Sequence, residues 1–295
     1  SSASGVKKSP SLPDSIAKVD IAPERIKSYQ VGKRKVYYIV PSDFDDSKEN
    51  ANPPGADLAL QWVYGYNGKA ASMNLFYQNP DSAASPYVYC IAGTGVVYDV
   101  AAQKQKFFLG HNEDILSQAY HAGTKLCATG QLDPKGKGKP FACVWNTDTM
   151  EEVARLENFH DRGICGLAFS GDGKQILSVG NDDGHTAALW NIDDAKAPIA
   201  QGSTNKDDIF GVVVNPYASE LEFVSLGKKV VKHFRVEGKV LKGTALSTMG
   251  KDKVVQTAYQ AATFLPSGDL VLGSDSGFIF PFKGTTLQDK YKAHE

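Results

Sequence analysis

The strongest constraint on the fold is a repeat. Five apolar runs each carry a bulky aromatic near their end: GVVYDV at Tyr98, FACVWNT at Trp145, TAALWNI at Trp190, VVKHFRV at Phe234 and GFIFPFK at Phe282. Successive aromatics lie 47, 45, 44 and 48 residues apart. A second element recurs upstream, as LAFSGDGKQILSVG (167–180), VVVNPYASELEFVSLG (212–227) and ATFLPSGDLVLGS (262–274). Each copy is an apolar strand, a polar turn and a second apolar strand. A four-stranded sheet of about 40 residues cannot cover both of its faces, so copies stack face to face and share a core. The turns use Gly, Asn and Asp because chain reversal favours residues that tolerate positive φ. Large aromatics then serve as wedges between neighbouring sheets. The pattern predicts an all-β, WD40-type β-propeller segment with five four-stranded blades inside residues 72–295. Their innermost strands start near Asn74, Ile115, Ile164, Ile209 and Val255. TTLQDKYKAHE fills the last outer-strand position, and five blades do not close a ring. The reading is therefore a piece of a longer protein.

Two segments precede the repeats. Residues 1–30 are rich in Ser, Pro and Lys with no apolar period, and read as a flexible basic arm. Residues 31–71 contain Val36–Val40, a run with the look of one strand, then a polar loop, then LALQWVYGY (58–66). The first 40 residues hold eight Lys or Arg against three acids, while the whole chain has a formal net charge of −1. An acidic partner is favoured at the basic end, and nucleic-acid binding by the chain as a whole is not. No apolar run approaches the roughly 18 residues of a membrane span. The four cysteines, Cys90, Cys127, Cys143 and Cys165, have no C-x-x-C spacing and read as reduced, packed thiols of a cytosolic protein.

VGKRKVYYIVPSDFDD (31–46) followed by LALQWVYGYNGKAASMNLFYQ (58–78) resembles the HELP motif of the echinoderm microtubule-associated protein-like family. Its most specific part is Trp62-Val63-Tyr64-Gly65-Tyr66, continued by Asn67-Gly68. FFLGHNEDI (107–115), LCATGQLDPKGKGKPFACVWN (126–146) and LPSGDLVLGSDSG (265–277) extend the resemblance over residues 31–295. The resemblance implies a pair of fused atypical propellers with HELP packed at their junction. It also implies tubulin and microtubules as partners, other axonemal or cytoskeletal proteins beside them, and a place in the cytoplasm, on the cytoskeleton and often in cilia or flagella. No sustained apolar heptads occur at the N-terminus, so the oligomerising coiled coil of some family members is not expected here, and Trp145 and Trp190 are followed by Asn rather than Asp. A general WD-repeat adaptor without tubulin contact is the alternative.

Among candidate contacts, Leu60, Trp62, Tyr64 and Tyr66 would share one face of a strand. Burial in the propeller core is the favoured reading, and direct tubulin contact the other. Lys135, Lys137 and Lys139, in a Gly-Pro loop, and Lys7 and Lys8 beside Ser9 are read first as solvated, mobile segments; the other reading is contact with an acidic surface such as a tubulin tail. His111 follows Gly110 and resembles the structural Gly-His element of WD repeats, and His160, after Phe159, looks like a weaker copy. His121, His185, His233 and His294 lack zinc spacing. Asp43, Asp45, Asp46 and Glu49 lack the Gly and Glu of a calcium loop. With no nucleophile elbow, no zinc helix and a failed G-x-G-x-x-G at Gly93, the chain reads as a non-enzyme without cofactor or metal.

Overall fold

The structure, a computed structural model, describes residues 22–45, 47, 52, 55–66, 68, 74–133, 138–247 and 258–294. Two compact units divide the chain at Ala59 and Leu60. No α-helix occurs among the described residues; a 3-10 turn spans Pro23–Arg25.

The first unit is built on a hairpin of β1 (Ile26–Val31) and β2 (Arg34–Ile39), in register from Ile26 opposite Ile39 to Val31 opposite Arg34. Gly32 adopts φ 56° at the two-residue turn, where a left-handed residue matches the strand twist. The ordered strand thus starts at Ile26, inside the stretch assigned to the arm. Its mixed polar sequence hides it, because IKSYQV takes its pairing from the partner strand rather than from an apolar face.

The second unit holds five blades in chain order, the third and fourth continuous as one eight-stranded sheet. Blade one comprises β3 (Leu75–Tyr77), β4 (Tyr87–Ile91), β5 (Thr94–Asp99) and β6 (Lys104–Phe108). Blade two follows with β7 (Ile115–His121), β8 (Leu126–Gln131), β9 (Ala142–Asn146) and β10 (Glu152–Leu156), and blade three with β11 (Ile164–Phe169), β12 (Gln175–Gly180), β13 (Thr186–Asn191) and β14 (Ala200–Ser203). Blade four contains β15 (Ile209–Val214), β16 (Glu222–Gly227), β17 (Val231–Glu237) and β18 (Val240–Leu246). Blade five contains β19 (Tyr259–Phe264), β20 (Leu270–Ser274), β21 (Phe278–Lys283), and an outer position shared by β22 (Thr286–Leu287) and β23 (Tyr291–Lys292). The innermost strands of blades two, three and four begin at the three isoleucines expected. That of blade five begins at Tyr259; Val255 lies outside the described residues. In blades two to five a bulge follows the first residue of the inner strand, as between Ile164 and Gly166. Such a bulge increases local twist, which lets neighbouring sheets fan around an axis.

Each aromatic of the repeat sits on the third strand of its blade, and from blade two onward it faces the blade before it. Trp145, Trp190, Phe234 and Phe282 are fully buried in the four successive inter-blade clusters. Trp145 stacks on Phe108 of blade one, with centroids 4.9 Å apart and rings within 4° of parallel. Trp190 receives Phe159 edge-on at 5.9 Å. Blades three and four are also joined at their outer rims. Here β14 and β18 pair in parallel at Gln201 and Val240, and Gln201 N–H donates to Lys239 O at 3.1 Å. Gly202 permits this approach, since a Cβ there would lie 2.6 Å from Leu241 O.

Candidate interaction site on the first blade

Tyr98, first of the repeat aromatics, has no blade before it within the repeat series. Trp62 fills that role, meeting Tyr98 edge-on with centroids 5.5 Å apart at 84°. The segment 57–66 that carries it is not part of any strand. A side chain takes the place of a ladder: Val63 N–H donates to Gln105 Oε1 at 2.8 Å, and Gln105 Nε2 donates back to Val63 O at 3.2 Å. The same amide nitrogen reaches Tyr89 Oη at 3.1 Å. Gln105 on β6 thereby mimics a peptide group and satisfies both backbone groups of Val63. Gly65 then turns the chain at φ 100°, and a Cβ there would press on Ile91 Cδ1 at 3.3 Å. Tyr66 lies edge-on to Tyr89, and its hydroxyl donates to Asn74 Oδ1.

This geometry corrects the expected burial of the aromatics. Trp62 and Val63, adjacent in sequence, are both half-buried, whereas Leu60, Tyr64, Tyr66 and Gly68 are exposed. Tyr64 is 84% exposed. Strict alternation needs a hydrogen-bonded ladder to hold every second side chain on one side. Here no ladder exists, and the Gln105 clamp and the Gly65 turn set the directions instead. Asn67 lies outside the described residues. Gln105 carries no mark in the sequence, because a polar residue on an outer strand reads as ordinary surface, and Asn74 is marked only as a strand start.

Of the candidate lysines, Lys7, Lys8, Lys135 and Lys137 lie outside the described residues. Lys139 does have an acid beside it: its ammonium is 3.1 Å from Asp161 Oδ1, which comes from the loop entering blade three. The acid is distant in sequence and was invisible there.

Two histidines tie the blades from within. His160 Nε2 lies 2.7 Å from Ser178 Oγ, which also accepts Trp190 Nε1–H at 2.8 Å. Its Nδ1 reaches Thr186 Oγ1, which donates to Asp182 Oδ2. In blade two His111 repeats the arrangement with Thr129 at 2.7 Å and Gln131 at 2.9 Å, and Trp145 Nε1–H donates to Thr129 Oγ1. His160 is therefore a full copy rather than a weaker one, with Phe159 used as a packing group instead of a glycine. Burial pulls both imidazoles down to about 4. The cysteines are opposite in sense: burial raises all four thiols, Cys90 and Cys165 to about 12, so none is an activated nucleophile. The described residues hold no group of three metal-binding side chains.

The family model described as "Echinoderm microtubule-associated protein first beta-propeller" matches residues 104–295, and the HELP motif model matches residues 53–96. The chain belongs to the echinoderm microtubule-associated protein family. It is 30% identical over 272 residues to the 77 kDa echinoderm microtubule-associated protein of Strongylocentrotus purpuratus, covering 88% of this chain and 38% of that one. The corresponding protein of Lytechinus variegatus is 29% identical over 92% of this chain and 41% of its own. Echinoderm microtubule-associated protein-like 1 of Rattus norvegicus is 30% identical over 85% of this chain and 31% of its own. The chain thus spans about two fifths or less of these relatives. Among solved structures, the β-propeller domain of Myceliophteria thermophila Cps50 (Swd1) is similar in fold, with a TM-score of 0.51 at 17% identity over 60% of this chain and 55% of that one. The HELP match begins before Trp62 and runs through β4 into β5, so motif and first blade form one continuous stretch.

Proposed function

We propose that the chain is part of a non-enzymatic, microtubule-associated scaffold that binds tubulin through the outer side of its HELP segment. The observation that carries this reading is the division of labour between neighbouring aromatics. Trp62 is anchored on Tyr98, while Tyr64 beside it is 84% exposed on a segment whose backbone is clamped in place. A rigidly held, exposed tyrosine gives contact area at low entropic cost, a property of interface anchors. The microtubule-associated names of the relatives support tubulin as the partner. Lys7, Lys8, Lys135 and Lys137 add a salt-sensitive attraction to acidic tubulin, while Lys139 contributes less because Asp161 already neutralises it. Cytoplasmic microtubules, including those of axonemes with their associated proteins, are the proposed location. In the longer protein a further sheet covers the outward face of blade five, where Ile279 is 36% exposed although its counterparts Ala142, Ala187 and Val231 are buried.

Microtubule co-sedimentation at low salt tests this. Tyr64→Ala is expected to reduce pelleting severalfold while leaving thermal stability unchanged. Undiminished pelleting would overturn the role of the HELP segment, and no pelleting of the parent chain under any salt condition would favour an adaptor without tubulin contact.

A further inference from the structure

The turns that join the first two strands of successive blades differ in length, and one of them is longer than its sheet requires. The closing hydrogen bond runs from Ser170 N–H to Gln175 O in blade three and from Leu265 N–H to Asp269 O in blade five, around residues 171–174 and 266–268. In blade four it runs from Asn215 N–H to Glu222 O, around residues 216–221. The longer turn lies against its neighbour in blade three, where a Cβ on Gly171 would be 3.1 Å from Pro216 O. The blade-three turn is held from its other side by His121, whose Nε2 lies 3.2 Å from Gly171 O. A cavity of about 250 Å³ remains between the two turns, and Asp172, Gln175, Asn215, Ser219 and Glu220 help to line it.

Polar groups around this cavity lack partners. Asn215 is 6% exposed. Its Oδ1 accepts Tyr217 N–H at 3.0 Å, which fixes the orientation of the amide, and its Nδ2 has no acceptor among the described residues. An amide donor withdrawn from bulk water without an acceptor is unfavourable, so this position asks for an oxygen atom to receive its hydrogens. Asp172 and Glu220 have the opposite need. Neither belongs to an ion pair among the described residues, and the Lys174 ammonium pairs with neither. Asp172 Oδ1 accepts from Ser170 Oγ–H at 2.7 Å and from Lys174 N–H at 3.1 Å. These bonds hold its carboxyl below the usual carboxylate range and leave Oδ2 free. Two carboxylates and a buried amide donor thus call, in one space, for a cation and a carbonyl oxygen. A lysine or arginine residue within a peptide carries both.

We propose that this cavity takes one lysine or arginine residue of a partner polypeptide, its side-chain cation between Asp172 and Glu220 and its backbone carbonyl oxygen accepting from Asn215 Nδ2. The partner segment is basic, so the site is separate from the acidic tubulin contact of the HELP segment and does not depend on it. The test is an NMR titration of the intact 295-residue chain at constant pH and ionic strength. The probes are the N-acetyl, N′-methylamide derivatives of lysine, arginine and norleucine, and butylammonium, which has the cation but no carbonyl. The reporters are the Asn215 side-chain amide and the Tyr217 backbone amide. Saturable shifts with a millimolar Kd are expected for the lysine or arginine derivative, none for norleucine, and severalfold weaker binding for butylammonium. Glu220→Gln, at an exposed position, should weaken the cationic derivatives severalfold and leave the melting temperature unchanged. Asn215→Asp keeps the acceptor for Tyr217 N–H but removes the donor, so the advantage of the cationic derivatives over butylammonium should vanish. Flat titrations with both cationic derivatives, equal shifts with norleucine, or an affinity unchanged in Glu220→Gln would each overturn the proposal. So would an advantage over butylammonium that survives Asn215→Asp.

Discussion

Acid should weaken this fold well before its carboxylates protonate, and His160 is the reason. Its ring is 2% exposed, hydrogen-bonded at both nitrogens, and held neutral down to about pH 4. In the unfolded chain the same imidazole takes a proton near pH 6.5. Between those values the unfolded state binds more protons than the folded one, so stability falls as pH falls. The contribution is complete above about pH 6.5, is lost progressively toward pH 4, and changes no further below that. Going from pH 7 to pH 5 costs about 1.36 × 1.5, or roughly 2 kcal/mol, for His160. His111, shifted in the same direction to the same value, adds a similar or smaller amount. A loss of about 2–4 kcal/mol is a large part of the roughly 5–15 kcal/mol that holds a typical domain together. Asp182 and Glu152, both shifted downward, lose their contribution only as pH falls below the ordinary carboxylate range, so they do not confuse this window. Urea unfolding midpoints at pH 7, 6 and 5 would measure the slope, and His160→Gln should roughly halve it. A stability that is flat from pH 7 to 5, or an NMR titration placing folded His160 near 6.5, would refute the reasoning.

Three further perturbations follow from the contacts described. Gln105→Ala removes both partners of Val63 and should cost about 1–3 kcal/mol; hydrogen exchange at the Val63 amide should speed up while amides in blade three stay protected. Gly202→Val forces a side chain against Leu241 O, so β14 and β18 must separate, at a cost of about 1–3 kcal/mol read from the melting temperature. Lys139→Ala breaks an ion pair whose side chains are more than half exposed, and should change stability by under about 1 kcal/mol; a larger loss by urea unfolding would mean that the pair organises the loop.

The phase of the repeat was legible in the sequence because its signal is redundant. Tyr98, Trp145, Trp190, Phe234 and Phe282 each mark the third strand of a sheet, and the apolar runs around them mark its neighbours. The HELP segment was legible as a motif and misleading as a structure. Leu60, Trp62, Tyr64 and Tyr66 alternate as a buried strand would, but alternation has meaning only inside a ladder. The chain at Val63 is held instead by one amide side chain 42 residues away. Long-range pairs of this kind leave no local trace, which is also why Asp161 beside Lys139 went unseen. β1 was hidden for a different reason: a two-stranded ribbon has no core to impose an apolar pattern on it.

The rim contact between blades three and four gives the row of blades an uneven stiffness. Among the described strands, pairing across outer edges occurs only there. At the outer rim a bending load would meet its greatest resistance at this junction, where opening must break the Gln201–Lys239 backbone hydrogen bond; the neighbouring junctions are crossed by backbone bonds away from the rim, as from Asp133 N–H to Arg162 O. Deformation should concentrate at the junctions on either side, so that blades three and four move as a single plate. A protein laid along a flexing surface would then articulate at its first two blades and at its fifth.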